Sequence, residues 1–318
     1  MQLKKRSRLT IAIVTLLIST PLWATNGYFT HGTGTKNKAM AGSGLAMPED
    51  AISVANNPAA AVANTGKYDL GLAIFTPDRY YETTPSQLNG QFGAFTVGPT
   101  RQRSTNKFHY IPHMAGSWEL SDKSAIAAAF YGRGGMNTTW NWGTATFSPQ
   151  PGLAPVGTYQ GTYGSGLFGD NGKAGVDLMQ AFLDVAYAHT FGDNFTLGIS
   201  AIGVMQLFSA RGVSTFGGYT ETFAASGGMV MPDSLSNNSH DTSYGLGVKL
   251  GLQWDITDKF AVAASYAPKI SMSKLKDYSD LFADGGNKDI PADQKVGFTV
   301  RPSSNFALNF DVEKYWYN

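Results

Sequence analysis

The stretch YGLGVKLGLQWDITDKFAVAASYAPKIS, residues 244–271, decides the fold class. Tyr244, Leu246, Val248, Leu250, Leu252 and Trp254 fall on one parity, and Gly245, Gly247, Lys249, Gly251, Gln253 and Asp255 on the other. Side chains along a strand point alternately to opposite faces, so this pattern predicts one apolar and one polar surface. After the polar turn Ile256-Thr257-Asp258-Lys259, alternation resumes with Phe260, Val262, Ala264, Tyr266 and Ile270 against Ala261, Ala263, Ser265, Lys269 and Ser271. The pair is a predicted hairpin.

Three more hairpins share the layout, with short turns at 121–123, 192–194 and 302–305. The strands they join are expected at 107–120 and 124–136, 176–191 and 195–211, and 293–301 and 306–317. On the last, Phe306, Leu308, Phe310 and Val312 oppose Asn309, Asp311 and Glu313. A buried sandwich strand rarely tolerates a whole face of that kind, whereas a lumen does. The intervening connections, 83–106, 137–175, 212–241 and 274–292, are long and rich in Gly, Ser, Asn and Pro. Short turns at one end and long loops at the other are the layout of bacterial outer-membrane barrels. Trp118, Phe191, Trp254, Phe260 and Phe306 flank the short turns, where an aromatic girdle belongs. The predicted fold is therefore all-β, an antiparallel transmembrane β-barrel.

Residues 1–24 read as a signal peptide. Lys4, Lys5, Arg6 and Arg8 precede an apolar run from Leu9 to Ile18, too short to span a bilayer, and Ala24 offers a cleavage site. Their removal takes four of the 24 basic residues and none of the 23 acidic ones, leaving a formal net charge of −3. Such a chain has no electrostatic footprint for nucleic acid. The absence of cysteine excludes disulfides and thiolate metal sites. No metal spacing, phosphate loop or nucleophile elbow occurs, so neither cofactor nor catalysis is expected. His109, His113 and Ser117 share one face of the second strand, the best hydrolase-like grouping, without a specific motif around them.

With a first strand at 67–82, nine strands are expected across 67–318. The first and ninth would run in the same direction and cannot close an antiparallel barrel, which leads us to expect a C-terminally incomplete chain. Residues 25–66 show no alternation and are rich in Gly and Ala. Their composition suits a compact plug or a flexible tail.

Several motifs resemble the FadL family of outer-membrane transporters for long-chain fatty acids and other hydrophobic compounds. They are Thr25-Asn26-Gly27-Tyr28-Phe29, Ala39-Met40-Ala41-Gly42-Ser43-Gly44, and Glu49-Asp50-Ala51 followed by Asn56-Asn57-Pro58-Ala59. Weaker similarity continues through Tyr266-Ala267-Pro268 and Asp289-Ile290-Pro291 to Asp311-Val312-Glu313-Lys314-Tyr315-Trp316. The resemblance implies fourteen strands, of which about nine are present, and an N-terminal hatch over 25–66 carrying the signature Asn57-Pro58-Ala59. It further implies a loop groove that captures ligand, a pocket beside the hatch, and a kinked third strand that releases ligand sideways. The expected partners are a fatty acid, an aromatic hydrocarbon or a detergent-like lipid, together with outer-membrane lipids, and the expected state is a monomer.

Candidate residues follow. Phe147, Leu153, Leu167 and Phe168 are the groove candidates, or else a loop's own small core. Tyr28 and Phe29 are candidate pocket walls. Arg211 stands roughly where the family places a carboxylate-binding arginine. Lys249 and Lys269 are alternatives, either for ligand or for pairing with Asp184, Asp311 or Glu313. Gly132, Gly134 and Gly135, late in the third strand, are candidates for the lateral opening, because glycine weakens a strand and permits a bulge. Glycine is also common throughout the chain. A porin or a structural or adhesive barrel is the rival class.

Overall fold

The computed structural model describes residues 27–84, 95–97, 100–141, 144–147, 157–160 and 173–317. The signal-peptide assignment, 1–24, lies outside them. Nine strands form one antiparallel sheet in chain order: β1 (Tyr68–Phe75), β2 (His109–Ser121), β3 (Ser124–Trp140), β4 (Ala174–Phe191), β5 (Phe195–Arg211), β6 (Asp241–Thr257), β7 (Phe260–Ala267), β8 (Ala292–Ser303) and β9 (Phe306–Trp316). The sheet curls into a half-barrel, and among the described residues β1 and β9 are not paired with each other. The four short turns fall where the alternation places them.

The curl has an inverted polarity. On β1, Leu70 is 84% exposed, and on β6 Leu246 is 85% exposed, with Met179, Leu183, Val185, Ile199, Phe310 and Val312 also turned outward. The concave face buries Arg133, Asp184, Ser200, Gln206, Lys249, Gln253, Asp293 and Thr299. Apolar side chains face outward because lipid is the solvent there, and the lumen takes the polar groups. Trp118, Phe191, Trp254 and Phe306 are exposed near the short turns.

Residues 27–66 occupy the concavity. They carry two short helices, α1 (Thr35–Ala39) and α2 (Ala60–Ala63), and a 3-10 turn, Ala51–Ala55. Irregular backbone buried in this way needs partners for its N–H and C=O groups. The inward side chains supply them around the wall. Asp69 accepts from Ile52 N (3.0 Å), and Ser117 Oγ donates to Ala61 O (2.8 Å). Lys249 Nζ donates to Ala55 O (2.7 Å), and Gln253 Nε2 to Ala46 O (3.1 Å). Asp311 accepts from Leu45 N (2.9 Å). Small residues let the two surfaces approach: Ala51, Ala55, Ala60 and Ala61 pack in one cluster with Ala125, Ala127, Ala129, Ala186 and Ala188 of the wall.

Two strand expectations change. The expected strand 67–82 divides, because β1 stops at Phe75, ahead of Pro77, and Tyr80–Thr83 pairs with Thr100–Arg103 in a separate ribbon. The expected alternation to Ser271 ends at Ala267, where Pro268 cannot donate to the ladder. Ile270 is then buried rather than lipid-facing, and it bridges Ile290. It rests on Gly247, where a Cβ would come within 2.5 Å of Ile270 Cγ1. A further three-stranded sheet joins Phe95–Val97, Thr144–Phe147 and Gly157–Gln160.

Candidate functional site

The wall is breached between β2 and β3. Their pairing runs from Ser121↔Ser124 up to His113↔Tyr131 and goes no further. Above that point Pro112 has no N–H to offer, and β3 departs from register with β4 as well. Gly132 lies opposite Ala181 but Gly135 lies opposite Met179, three steps on one strand against two on the other. That is a β-bulge with one extra residue, and glycine permits it. Toward the loop side the edges meet again, with Thr105 N donating to Thr139 O (2.9 Å) and Thr139 N to Ser104 Oγ (3.1 Å). The result is a window bounded at both ends.

A cavity of about 490 Å³ fills this window. Its lining includes inward residues (Arg133, Leu178, Gln180) and outward ones (Tyr110, Phe130, Met179, Met205), so it passes through the wall. Gly132, Gly134 and Gly135 all line it. A Cβ on Gly134 would meet Gln180 Oε1 at 1.9 Å, and one on Gly132 would meet Ile111 Cγ2 at 2.9 Å. The volume lies within the roughly 300–1,000 Å³ usual for small-molecule sites.

The N-terminal tip backs the window from inside. Phe29 bridges Gly134, Thr30 N donates to Arg133 O (3.0 Å), and Gly135 N donates to Tyr28 O (2.9 Å). Backbone groups freed by the bulge are thus satisfied by residues 28–30. Phe29 is buried and stacks on Tyr315 with centroids 4.8 Å apart, and Tyr28 packs at 4.6 Å from Phe29.

Arg133, on the bulge, is the hub of a charge cluster that the sequence did not reveal. It pairs with Asp293 (2.6 Å) and lies 3.6 Å from Glu313, and its Nη2 donates to Tyr315 Oη (2.6 Å). Its guanidinium stands 5.0 Å from the Phe29 ring centroid and 5.3 Å from that of Tyr315. Lys295 pairs with Glu313 and donates to Asn56 Oδ1 (3.1 Å). The lumen thus carries buried ion pairs on β3, β8 and β9.

The candidate cations separate. Lys249 is buried, pairs with Asp184 (2.9 Å) and fastens Ala55. Lys269 pairs with Asp289 (3.0 Å) and is half exposed. Arg211 is exposed, on the parity opposite to buried Phe208 and Ala210. Lys288, unremarked in the sequence, behaves differently. Its Nζ stands 4.7 Å from the Tyr28 ring and 5.5 Å from Phe282. Burial pushes its ammonium below the ordinary lysine range, and no described ion pair includes it. The neighbouring cluster holds Leu178, Phe208, Leu275 and Tyr278. A half-buried ammonium among rings, without a carboxylate, has the chemistry to accept one.

Asn57-Pro58-Ala59 seats on a cross-strand glycine pair, Gly198↔Gly251. Asn57 Nδ2 donates to Leu252 O (2.9 Å), and its Oδ1 accepts from Ala59 N (3.0 Å). Of the groove candidates, Phe147 ends the strand Thr144–Phe147, while Leu153, Leu167 and Phe168 lie outside the described residues. On the loop side, residues 212–240 instead expose Phe216, Tyr219, Met229, Val230 and Met231. Ser117, from the hydrolase-like grouping, is spent on Ala61 O.

A profile described as "Outer membrane protein transport protein (OMPP1/FadL/TodX)" matches residues 16–308. Among solved structures, the toluene transporter TbuX of Ralstonia pickettii aligns with a TM-score of 0.57 at 17% identity, over 90% of this chain and 72% of its own. The toluene transporter TodX of Pseudomonas putida aligns with a TM-score of 0.52 at 14% identity, over 91% and 71%. The CymD monoaromatic hydrocarbon channel gives 0.52 at 14%, over 90% and 69%. At these identities the likeness carries the fold. No curated protein matches the chain.

Proposed function

Since the chain belongs to the outer membrane protein transport family (OMPP1/FadL/TodX), as an outer-membrane transport protein and not an enzyme, we propose that it takes up hydrophobic compounds passively and releases them sideways through the β2–β3 window. The observation that carries this is the cavity crossing the wall at the glycine bulge, with apolar residues on both sides. Residues 27–66 act as the hatch, and cargo is first held by the exposed apolar side chains of 216–231 at the loop side. It then enters the lumen beside Tyr28 and Lys288. Phe29, buried behind the window, must swing aside before cargo can pass. Long-chain fatty acids suit the route through Lys288, and the solved relatives named for toluene suggest that neutral aromatics suit it as well.

The chain has no cysteine, so an introduced pair is unambiguous. Phe29 and Gly134 are bridge partners, and antiparallel partners lie within the usual Cα range of a disulfide. In cells producing the Phe29→Cys, Gly134→Cys double variant, oxidation is expected to lower fatty-acid and toluene uptake more than about tenfold, with reduction restoring it. Undiminished uptake in the oxidised form would remove the tip from the route. Free passage of small polar solutes without fatty-acid uptake would leave a porin.

Lys288→Met is expected to raise the half-saturating concentration for a fatty acid by about tenfold, the worth of one charge-assisted contact, and to alter toluene uptake little. Equal effects on both compounds would make Lys288 a packing residue.

A further inference from the structure

We propose that the loop-side end of the window is a binding site for the oxyanion head of a single-chain amphiphile, built on Arg79 with His109 beside it. The proposal rests on the window being the cargo's way out, and it narrows the cargo, because a hydrocarbon needs no cation there.

Arg79 follows β1 and lines the cavity together with Asn106 and His109. Its Nη2 donates to Asn106 O (3.0 Å) and lies 3.3 Å from His109 Nε2. Its Nε is buried and has no hydrogen-bond partner. Arg101, Arg103 and Arg133 each face a carboxylate, but no described ion pair includes Arg79. Asp177, on β4, is already engaged by Asn137 Nδ2 (2.6 Å) and His240 Nε2 (2.9 Å). A half-buried guanidinium with an unmet donor and no carboxylate partner is costly, and an oxyanion in the cavity that pairs with the guanidinium offsets part of that cost.

The rest of the cavity fits the tail. Phe75, Phe108, Ile111, Met136, Leu178 and Leu207 line it. Because β1 climbs from the short-turn side to the loop side, Arg79 and His109 stand at the loop-side rim of the window. A tail running from there toward Pro112 and Phe130 enters hydrocarbon, in the orientation an amphiphile adopts within a leaflet. A carboxylate and a lipid phosphate share this chemistry.

The test compares uptake of laurate and of dodecanol, equal chains with different heads, by cells producing the wild type, Arg79→Gln or Arg79→Lys. The laurate-to-dodecanol rate ratio is expected to fall about tenfold in Arg79→Gln and to recover in Arg79→Lys. Dodecanol uptake reports that the variants fold. An unchanged ratio in Arg79→Gln overturns the site while leaving lateral transport standing, as does wild-type uptake of dodecanol without laurate. Wild-type uptake of neither compound overturns the transport proposal and the site with it. Lauroyl lysophosphatidate as competitor separates the sources. Slowing of laurate in the wild type but not in Arg79→Gln assigns the site to either head, membrane lipid included, whereas no slowing, with the ratio still falling, assigns it to carboxylate cargo alone.

Discussion

Valine in place of Gly251 is expected to unseat the N-terminal segment while leaving the wall intact. Even the first side-chain carbon would stand 2.0 Å from Asn57 Oδ1 and 2.7 Å from Pro58 Cδ. Asn57 is 1% exposed, so it has nowhere to retreat. Across the ladder, Gly198 already touches the same residues, where a Cβ would sit 2.4 Å from Ala59 N. Overpacking costs about 1–3 kcal/mol, and each hydrogen bond that Asn57 loses adds about 1 kcal/mol. The Gly198↔Gly251 pairing itself uses only backbone. Small polar solutes should therefore leak through Gly251→Val in liposome-swelling assays, with the thermal resistance of the sheet little changed. An unaltered leak would show that Asn57-Pro58-Ala59 is not the anchor of the plug.

The largest loss of stability is expected from Arg133→Met. The substitution strands Asp293, whose side chain is 5% exposed and has Arg133 as its ion-pair partner, and it removes a contact from Glu313. Breaking a buried pair from one side costs about 3–5 kcal/mol, because a carboxylate is left without compensation. Adding Asp293→Asn should return more than half of that loss, since the second change removes the stranded charge. Urea unfolding of the three variants in lipid vesicles measures both steps. A loss below about 1 kcal/mol in the single variant would mean that the cluster does not hold β3 to β8 and β9. Failure of the second change to restore stability would place the loss in the ring contacts of Phe29 and Tyr315 instead.

The wall was legible because lipid on one side and polar lumen on the other impose a period of two. That is why Phe195–Arg211 and the four short turns emerge at their observed positions. Arg211 is exposed at the end of that strand, on the parity opposite to buried Gln206, Phe208 and Ala210, although Ser209 on its own parity is buried; only the family resemblance nominated it. What a pattern of two cannot carry is which inward charge has a partner. Lys249 and Lys288 are both lysines in sequence, but Asp184 reaches one across the intervening strand β5, while rings surround the other. Lys288 stands in a connection with no period at all, Arg79 falls in the break that divides the expected strand 67–82, and Arg133 was hidden among the glycines that drew attention to the bulge. The glycines at 245, 247 and 251 carried a readable signal of another sort. Inward glycines mark where chain folds back into the lumen, here residues 270–272 and 57–58.

The seats of the N-terminal segment have a consequence for the order of assembly. Asn57 docks on Leu252, 195 residues downstream, and Leu45 on Asp311, 266 residues downstream. Contacts so distant in sequence close late, because the intervening chain must be ordered first. The residues synthesised first are therefore the last to find their places, and the wall exists as an unplugged trough before they do. An assembly intermediate trapped before docking should admit solutes that the finished protein excludes.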